Sequence, residues 1–343
     1  MNILIVKLSS LGDIVHTLPS LIALRKRFPH AHITWVAGES ASDILMNNPH
    51  LDELLITRGR RWRSRPFSQN NLSDLSGFVK RLRSRRYDIT IDFQGLLKSA
   101  LVVALAKGKR KIGYGGAREF AHIFYSEKVD LETMELHAVD RYLNLIKHLG
   151  CNTDNPEFCI PVTDDDNNEV EQILASNGIL IKGKKIVGVN PTGRWISKRW
   201  PQGKYLELAR RIAAVENVVV VFIGGADEKD IVDAACPTEY KNVINLAGRT
   251  SLGRLSAILK RMDVLITNDT GPMHIAAALG TRVIAIFGPT NPVRTGPYGT
   301  DNTVIQAGMD CVPCYRKECA AMICMDAIDV DTVFRAVIND VVL

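Results

Sequence analysis

No apolar stretch in these 343 residues approaches the roughly 20 needed for a helix to span a bilayer. The first apolar run, ILIV, is short, and Asp13 interrupts the segment after it, so no secretory signal peptide is read there. The cytoplasm is therefore the expected location. The sequence contains no internal repeat and no low-complexity segment. The seven cysteines are odd in number and lack the framework of a secreted disulfide scaffold, which suits a reducing compartment. A second C-x-x-C is also missing, so the last four cysteines carry only half of a common zinc pattern.

The residues that are present describe an ordinary soluble globular chain, long enough for two domains and a large core. Charge is unevenly spread. Residues 1–150 hold 23 Lys and Arg against 14 Asp and Glu, a net of +9, whereas the remainder carries −3. A basic first half points to an anionic partner there, although a solvated basic surface explains charge alone equally well.

Short β-rich runs alternate with amphipathic helical stretches. In the first half the strands are read at 3–7, 32–37, 53–56 and 88–93, with helices near 14–28, 70–86, 96–107 and 136–149. A polar stretch at 152–169 reads as a linker. The pattern then restarts with strands at 185–190, 217–224, 242–247, 263–268 and 282–288. Most are nearly continuously apolar, as strands covered on both faces must be. The fold class is α/β: two Rossmann-like domains with parallel sheets, their strand ends facing a central cleft.

The strongest chemical signal is LITNDTGPMHIAAALG (265–280). Asp269 and Thr270 fall at a strand's carboxyl end, Gly271 and Pro272 open a helix, and His274 lies within its first turn. Backbone N–H groups and the positive end of the helix dipole make that turn an anion site, favoured over a merely capped turn. In NPTGRWISKRWP (190–201), Thr192, Gly193 and Lys198 offer hydroxyl, amide and point-charge donors to a diphosphate. In GGADEKD (224–230), Glu228 or Asp227 either accepts ribose hydroxyls or caps a helix.

In the first half, RGRRWRSR (58–65) gathers Arg58, Arg60, Arg61, Arg63 and Arg65 around Trp62, a density suited to phosphate or carboxylate. No nucleic-acid motif accompanies it, so no nucleic-acid partner is expected; an anionic lipid surface is the other reading. FQGLLKSA (93–100) places Gln94 and Lys98 near another strand end. SSLGD (9–13) places a carboxylate, Asp13, where a nucleotide fold would hold an anion, with Ser10 and Gly12 beside it. Cys311, Cys314, Cys319 and Cys324 are read as free or reversibly oxidised thiols, with a metal site the lesser alternative.

Taken together, ILIVKLSSLGDIVHTLP, FQGLLKSA and NDTGPMHIAAALGTRVIAIFGPTNP resemble the ADP-heptose:lipopolysaccharide heptosyltransferases, glycosyltransferase family 9, over most of the chain. RRWR, GLLKSA and HAVDRYL are most similar to the heptosyltransferase I branch, and the cysteine-rich tail to heptosyltransferase II and other members. The resemblance implies a GT-B architecture. It assigns 1–160 to the acceptor domain, 161–325 to the nucleotide-sugar domain and 326–343 to a helix packing back on the first. It implies inverting transfer of heptose from ADP-heptose to Kdo-bearing lipid A, without a cofactor or catalytic metal, at the inner face of the cytoplasmic membrane. Asp13 then matches the base. Thr192, Gly193, Lys198, Thr270, Gly271 and His274 match the diphosphate grip, Asp269 a heptose contact and Glu228 a ribose contact. Ser10, Gly12, Arg60, Arg61, Arg63, Gln94 and Lys98 match acceptor contacts. The other readings are a non-catalytic nucleotide-sugar-binding protein and, more remotely, a nucleotide-sugar epimerase.

Overall fold

The structure, a computed structural model, describes residues 1–64, 68–131, 133, 135–177 and 183–341. It divides into two compact units, Met1–Pro161 and Val162–Leu343.

The first unit runs β1 (Asn2–Val6), α1 (Leu11–Arg27), β2 (His32–Gly38), β3 (Glu53–Thr57), α2 (Gly59–Ser64), α3 (Gln69–Leu82), β4 (Arg86–Asp92), α4 (Leu97–Leu105), β5 (Lys107–Tyr114), β6 (Glu127–Val129) and α5 (Ala138–Lys147). Its six strands are parallel in the order β3-β2-β1-β4-β5-β6. Leu4, Val6, Val36 and Leu55 share one core with Phe78 and Leu82 of α3 and Ala100 and Val103 of α4. α1 packs on α5. The parallel register pairs Val6 with Asp92, so the loops leaving β1 and β4 emerge side by side.

The second unit runs α6 (Asp164–Ser176), β7 (Lys185–Asn190), α7 (Gln202–Ala213), β8 (Val218–Phe222), α8 (Lys229–Ala235), β9 (Val243–Asn245), α9 (Leu252–Leu259), β10 (Val264–Asn268), α10 (Gly271–Ala278), β11 (Arg282–Phe287), α11 (Pro292–Thr295), β12 (Thr303–Gln306), α12 (Ile323–Asp326) and α13 (Val330–Val341). Its parallel order is β12-β11-β10-β7-β8-β9. Val187, Val220, Ile266 and Ile284 form a core with Leu208 and Ile212 of α7. The face of α13 carrying Val333 and Val337 is buried in that same core.

Three strands depart from the sequence reading. β5 spans KGKRKIGY, whose four basic residues hide its periodicity; its first half is largely solvent-facing and only Ile112 and Gly113 are buried. β6 and β12 are short edge strands with one neighbour each, and an edge needs no continuous apolar run. The acidic 152–169 stretch is not all linker. Thr163 caps α6 and Asp164, Asp165 and Asp166 fill its first turn, where the helix dipole favours negative charge.

Candidate functional site

α1 begins three residues before the apolar periodicity does, because Ser10 is its N-cap and Asp13 its third residue. The Ser10 backbone N–H donates to Asp13 Oδ2 at 2.9 Å and the Ser10 hydroxyl at 2.8 Å. Asp13 thereby satisfies the Ser10 amide at the helix start. On the other oxygen, the Tyr142 hydroxyl donates to Asp13 Oδ1 at 2.8 Å and accepts from Lys7 Nζ at 2.6 Å. Lys7 Nζ lies 3.6 Å from Oδ1 and donates to the Phe93 carbonyl at 3.0 Å. The Lys7 side chain is 2% exposed, whereas that of Asp13 is 36% exposed. The carboxylate thus has a buried cation on one side and an open face on the other.

Burial alone would raise the Asp13 pKa. The Lys7 ammonium, the Ser10 N–H, His16 and the Tyr142 hydroxyl overcome it and hold the carboxyl well below its ordinary range. Burial pushes the Lys7 ammonium down, opposed by the charges of Asp13 and Asp92. Burial, with the Asp13 charge, pushes the Tyr142 phenol far up, so it remains a donor.

The neighbouring loop supports this cluster. Gln94 Oε1 accepts from the Leu8 and Ser9 N–H groups at 3.2 and 3.0 Å. Lys98 Nζ donates to Ser9 Oγ at 3.0 Å. Asp92, fully buried, accepts from the Gln94 and Gly95 N–H groups and from the Ser99 and Tyr125 hydroxyls. Burial still raises its pKa. Asp13, Ser10, Gln94 and Lys98 are therefore brought together, with Gly12 buried in the first turn.

The arginine segment forms α2. Arg58 pairs with Glu39 and Asp74, and Trp62 Nε1 donates to Asp74 at 2.8 Å. Arg61 and Arg63 are exposed. The Arg60 side chain and Arg65 lie outside the described residues.

In the second unit, two asparagines at strand ends stitch loops together. Asn190 Oδ1 accepts from the Thr192 hydroxyl at 2.7 Å and its N–H at 3.2 Å. Asn268 Nδ2 donates to the Thr192 carbonyl at 2.9 Å, while its Oδ1 accepts from the Trp200 N–H and the Tyr205 hydroxyl. This anchors the 190–201 loop beside β10. Lys198 Nζ donates to Asp269 Oδ2 at 2.5 Å, and the Thr290 hydroxyl donates to the same oxygen at 2.7 Å. The ammonium also lies 4.5 Å from the Trp195 ring centroid. Thr270 is the N-cap of α10 but its side chain makes no cap hydrogen bond; Gly271 and Pro272 come next, and His274 is buried in the first turn.

Lys198, Asp269, Thr270, Gly271 and His274 thus converge around the ends of β7 and β10. Gly193 belongs to the same loop, its carbonyl accepting from Arg199 Nε at 2.7 Å. Thr192 is buried and its hydroxyl donates to Asn190. Glu228 Oε2 accepts the Gly225 N–H at 2.9 Å. Cys324 is buried in the core, Cys311 is exposed, and Cys314 and Cys319 are part-exposed. Among the described residues, no group of three or more His, Cys, Asp or Glu could hold a metal.

Lys7, Tyr142, Thr290, Trp195 and the strand-end asparagines escaped the motif reading. A lysine closing the apolar run ILIVK and an aspartate inside DITIDF were the available signals, since a charge in a buried strand needs a partner.

The family model of glycosyltransferase family 9 (heptosyltransferase) matches residues 76–324. Lipopolysaccharide heptosyltransferase 1 of Pseudomonas aeruginosa is 31% identical over 93% of this chain and 87% of that protein. Its Escherichia coli K12 counterpart is 31% identical over 90% and 94%. The solved structure of E. coli heptosyltransferase WaaC with ADP superposes with a TM-score of 0.81 at 27% identity, covering 99% of this chain and all of that one. The chain belongs to glycosyltransferase family 9, the heptosyltransferases.

Proposed function

We propose that the protein transfers L-glycero-D-manno-heptose from ADP-heptose to Kdo-bearing lipid A in the lipopolysaccharide inner core, with inversion. The observation that carries this reading is the Asp13 carboxylate, open on one face and held by Ser10, Tyr142 and Lys7.

In this reading Asp13 takes the proton from the acceptor hydroxyl as that oxygen attacks the anomeric carbon and ADP leaves from the opposite face. Its low pKa makes it a weak base early in the reaction. Proton transfer is therefore late, when the forming bond has acidified the hydroxyl. Charge grows on the departing diphosphate, and Lys198, His274 and the N-terminus of α10 stabilise it. Lys198 and the helix N-terminus supply positive charge and His274 a ring nitrogen for hydrogen bonding, so the mechanism calls for no metal. Thr192, Gly193, Thr270 and Gly271 line the nucleotide-sugar site with Asp269 on the heptose and Glu228 on the ribose. Ser10, Gly12, Gln94, Lys98, Arg60, Arg61 and Arg63 receive the anionic acceptor. The enzyme then works as a peripheral protein at the cytoplasmic face of the inner membrane.

The cysteine-rich tail supports a second reading, the heptosyltransferase II acceptor. Measuring ADP release from ADP-heptose with Kdo-lipid A, with its heptosylated product, and with no acceptor separates the readings. Release only with the first supports the proposal, and release only with the second supports the alternative. Equal release without acceptor, or an unchanged rate in Asp13→Ala, defeats the mechanism.

A further inference from the structure

The outer face of α4 carries Leu97, Leu101 and Leu105, spaced four apart on one helical stripe and 42%, 48% and 42% exposed. Its inner face, with Ala100 and Val103, is buried with Ala121 of the turn Ala121–Phe124, which packs against α4. Phe120, which precedes that turn, and Ile123 within it are 76% and 64% exposed. The segment is stapled alongside the helix: the Arg118 N–H donates to the Gly95 carbonyl at 3.1 Å, and the Leu97 N–H donates to the Glu119 carboxylate at 3.1 Å. Five large apolar side chains are thus exposed on α4 and on the segment stapled to it.

The border of this face is basic. Lys98 and Arg118 lie at one end of the stripe and Lys107 at the other, all exposed. The acid nearby, Glu119, is engaged as the cap of α4. We propose that this face docks on an anionic phospholipid bilayer, with the apolar residues entering the headgroup boundary and the basic rim meeting lipid phosphates. A second copy of the chain is the poorer occupant. A two-fold interface would set the patch against itself and oppose its own like charges. Lys98, one turn position from the stripe, also hydrogen-bonds Ser9 in the Asp13 loop. The docked face therefore adjoins the proposed acceptor site, which deepens the reading of a lipid-borne acceptor and rests on it for its purpose.

Co-sedimentation with phosphatidylcholine vesicles, with or without about 30% phosphatidylglycerol, tests this directly. The wild type should bind only the anionic vesicles. Leu101→Gln, Phe120→Asn and Ile123→Gln together should weaken binding about tenfold or more, since they remove apolar area without altering charge. Asparagine suits position 120 because its backbone is left-handed, with φ of 57°. Lys107→Glu and Arg118→Glu should each weaken it about fivefold. The apolar triple variant should keep wild-type transfer to a delipidated, water-soluble acceptor and lose transfer to a vesicle-borne one. Loss of all transfer in wild type would defeat the proposed function while vesicle binding is still measured. Failure of the wild type to bind anionic vesicles, binding unchanged in the triple variant, or a wild-type dimer dissolved by that variant would overturn the docking proposal.

Discussion

The hydroxyl of Tyr142 bridges a buried lysine to an open carboxylate: it accepts from Lys7 Nζ at 2.6 Å and donates to Asp13 Oδ1 at 2.8 Å. A helix cap and a candidate catalytic base are thereby the same side chain, and its two duties can be separated.

Asp13→Asn keeps an oxygen that can accept from Ser10, whereas Asp13→Ala removes the cap. Both should lower heptose transfer by at least about 100-fold, the order of a general base. Both variants should lose stability, because the buried Lys7 ammonium loses its counter-charge, and the alanine variant should lose about 1 kcal/mol more in urea unfolding with the cap. An active Asp13→Asn enzyme would remove the proposed base.

The low pKa of Asp13 sets a pH dependence. Because the folded value lies below the unfolded value of about 3.9, its contribution to stability is present above that pH and disappears as pH falls through the folded value. The acid limb of kcat/KM attributable to Asp13 should accordingly lie below about pH 4. Lys7→Met removes the main charge that depresses it, so that limb should move upward in a pH–rate profile. A limb that stays in place in this variant would show that Lys7 does not tune the base.

Tyr142→Phe leaves the Lys7 ammonium without its hydroxyl acceptor in a buried site. The expected cost is about 1–3 kcal/mol in denaturant unfolding. Transfer should slow with little change in KM for ADP-heptose, because the substitution touches Asp13 and Lys7 and none of the groups assigned to the nucleotide sugar.

Lys198 is held by Asp269, which also accepts from Thr290. Removing one partner of a largely buried pair leaves the other uncompensated, so Lys198→Ala should destabilise by about 3 kcal/mol. It should also weaken ADP binding in calorimetry by about tenfold or more, through the lost charge-assisted contact. Thr290→Val should affect stability more than ADP affinity.

Chelation should leave the transfer rate unchanged, and purified protein should hold less than about a tenth of an equivalent of metal. Replacing Cys311, Cys314 and Cys319 with serine should then leave activity intact. A metal-dependent rate would reassign the tail.

The sequence by itself determined the α/β class and the central strands, because strands such as ILIV and VLITN are covered on both faces and must read as apolar runs. It also located the NDTGPMH turn and the SSLGD loop, since helix starts have a local grammar of caps, Pro and Gly. β5, β6 and β12 were hidden, as strands that are charged or lie at an edge carry no such run. Only the tertiary structure decided the partners. Lys7 and Tyr142 are 135 residues apart, and Lys198 and Asp269 are 71 apart. A buried charge demands a counterpart, and no local pattern states which distant residue supplies it.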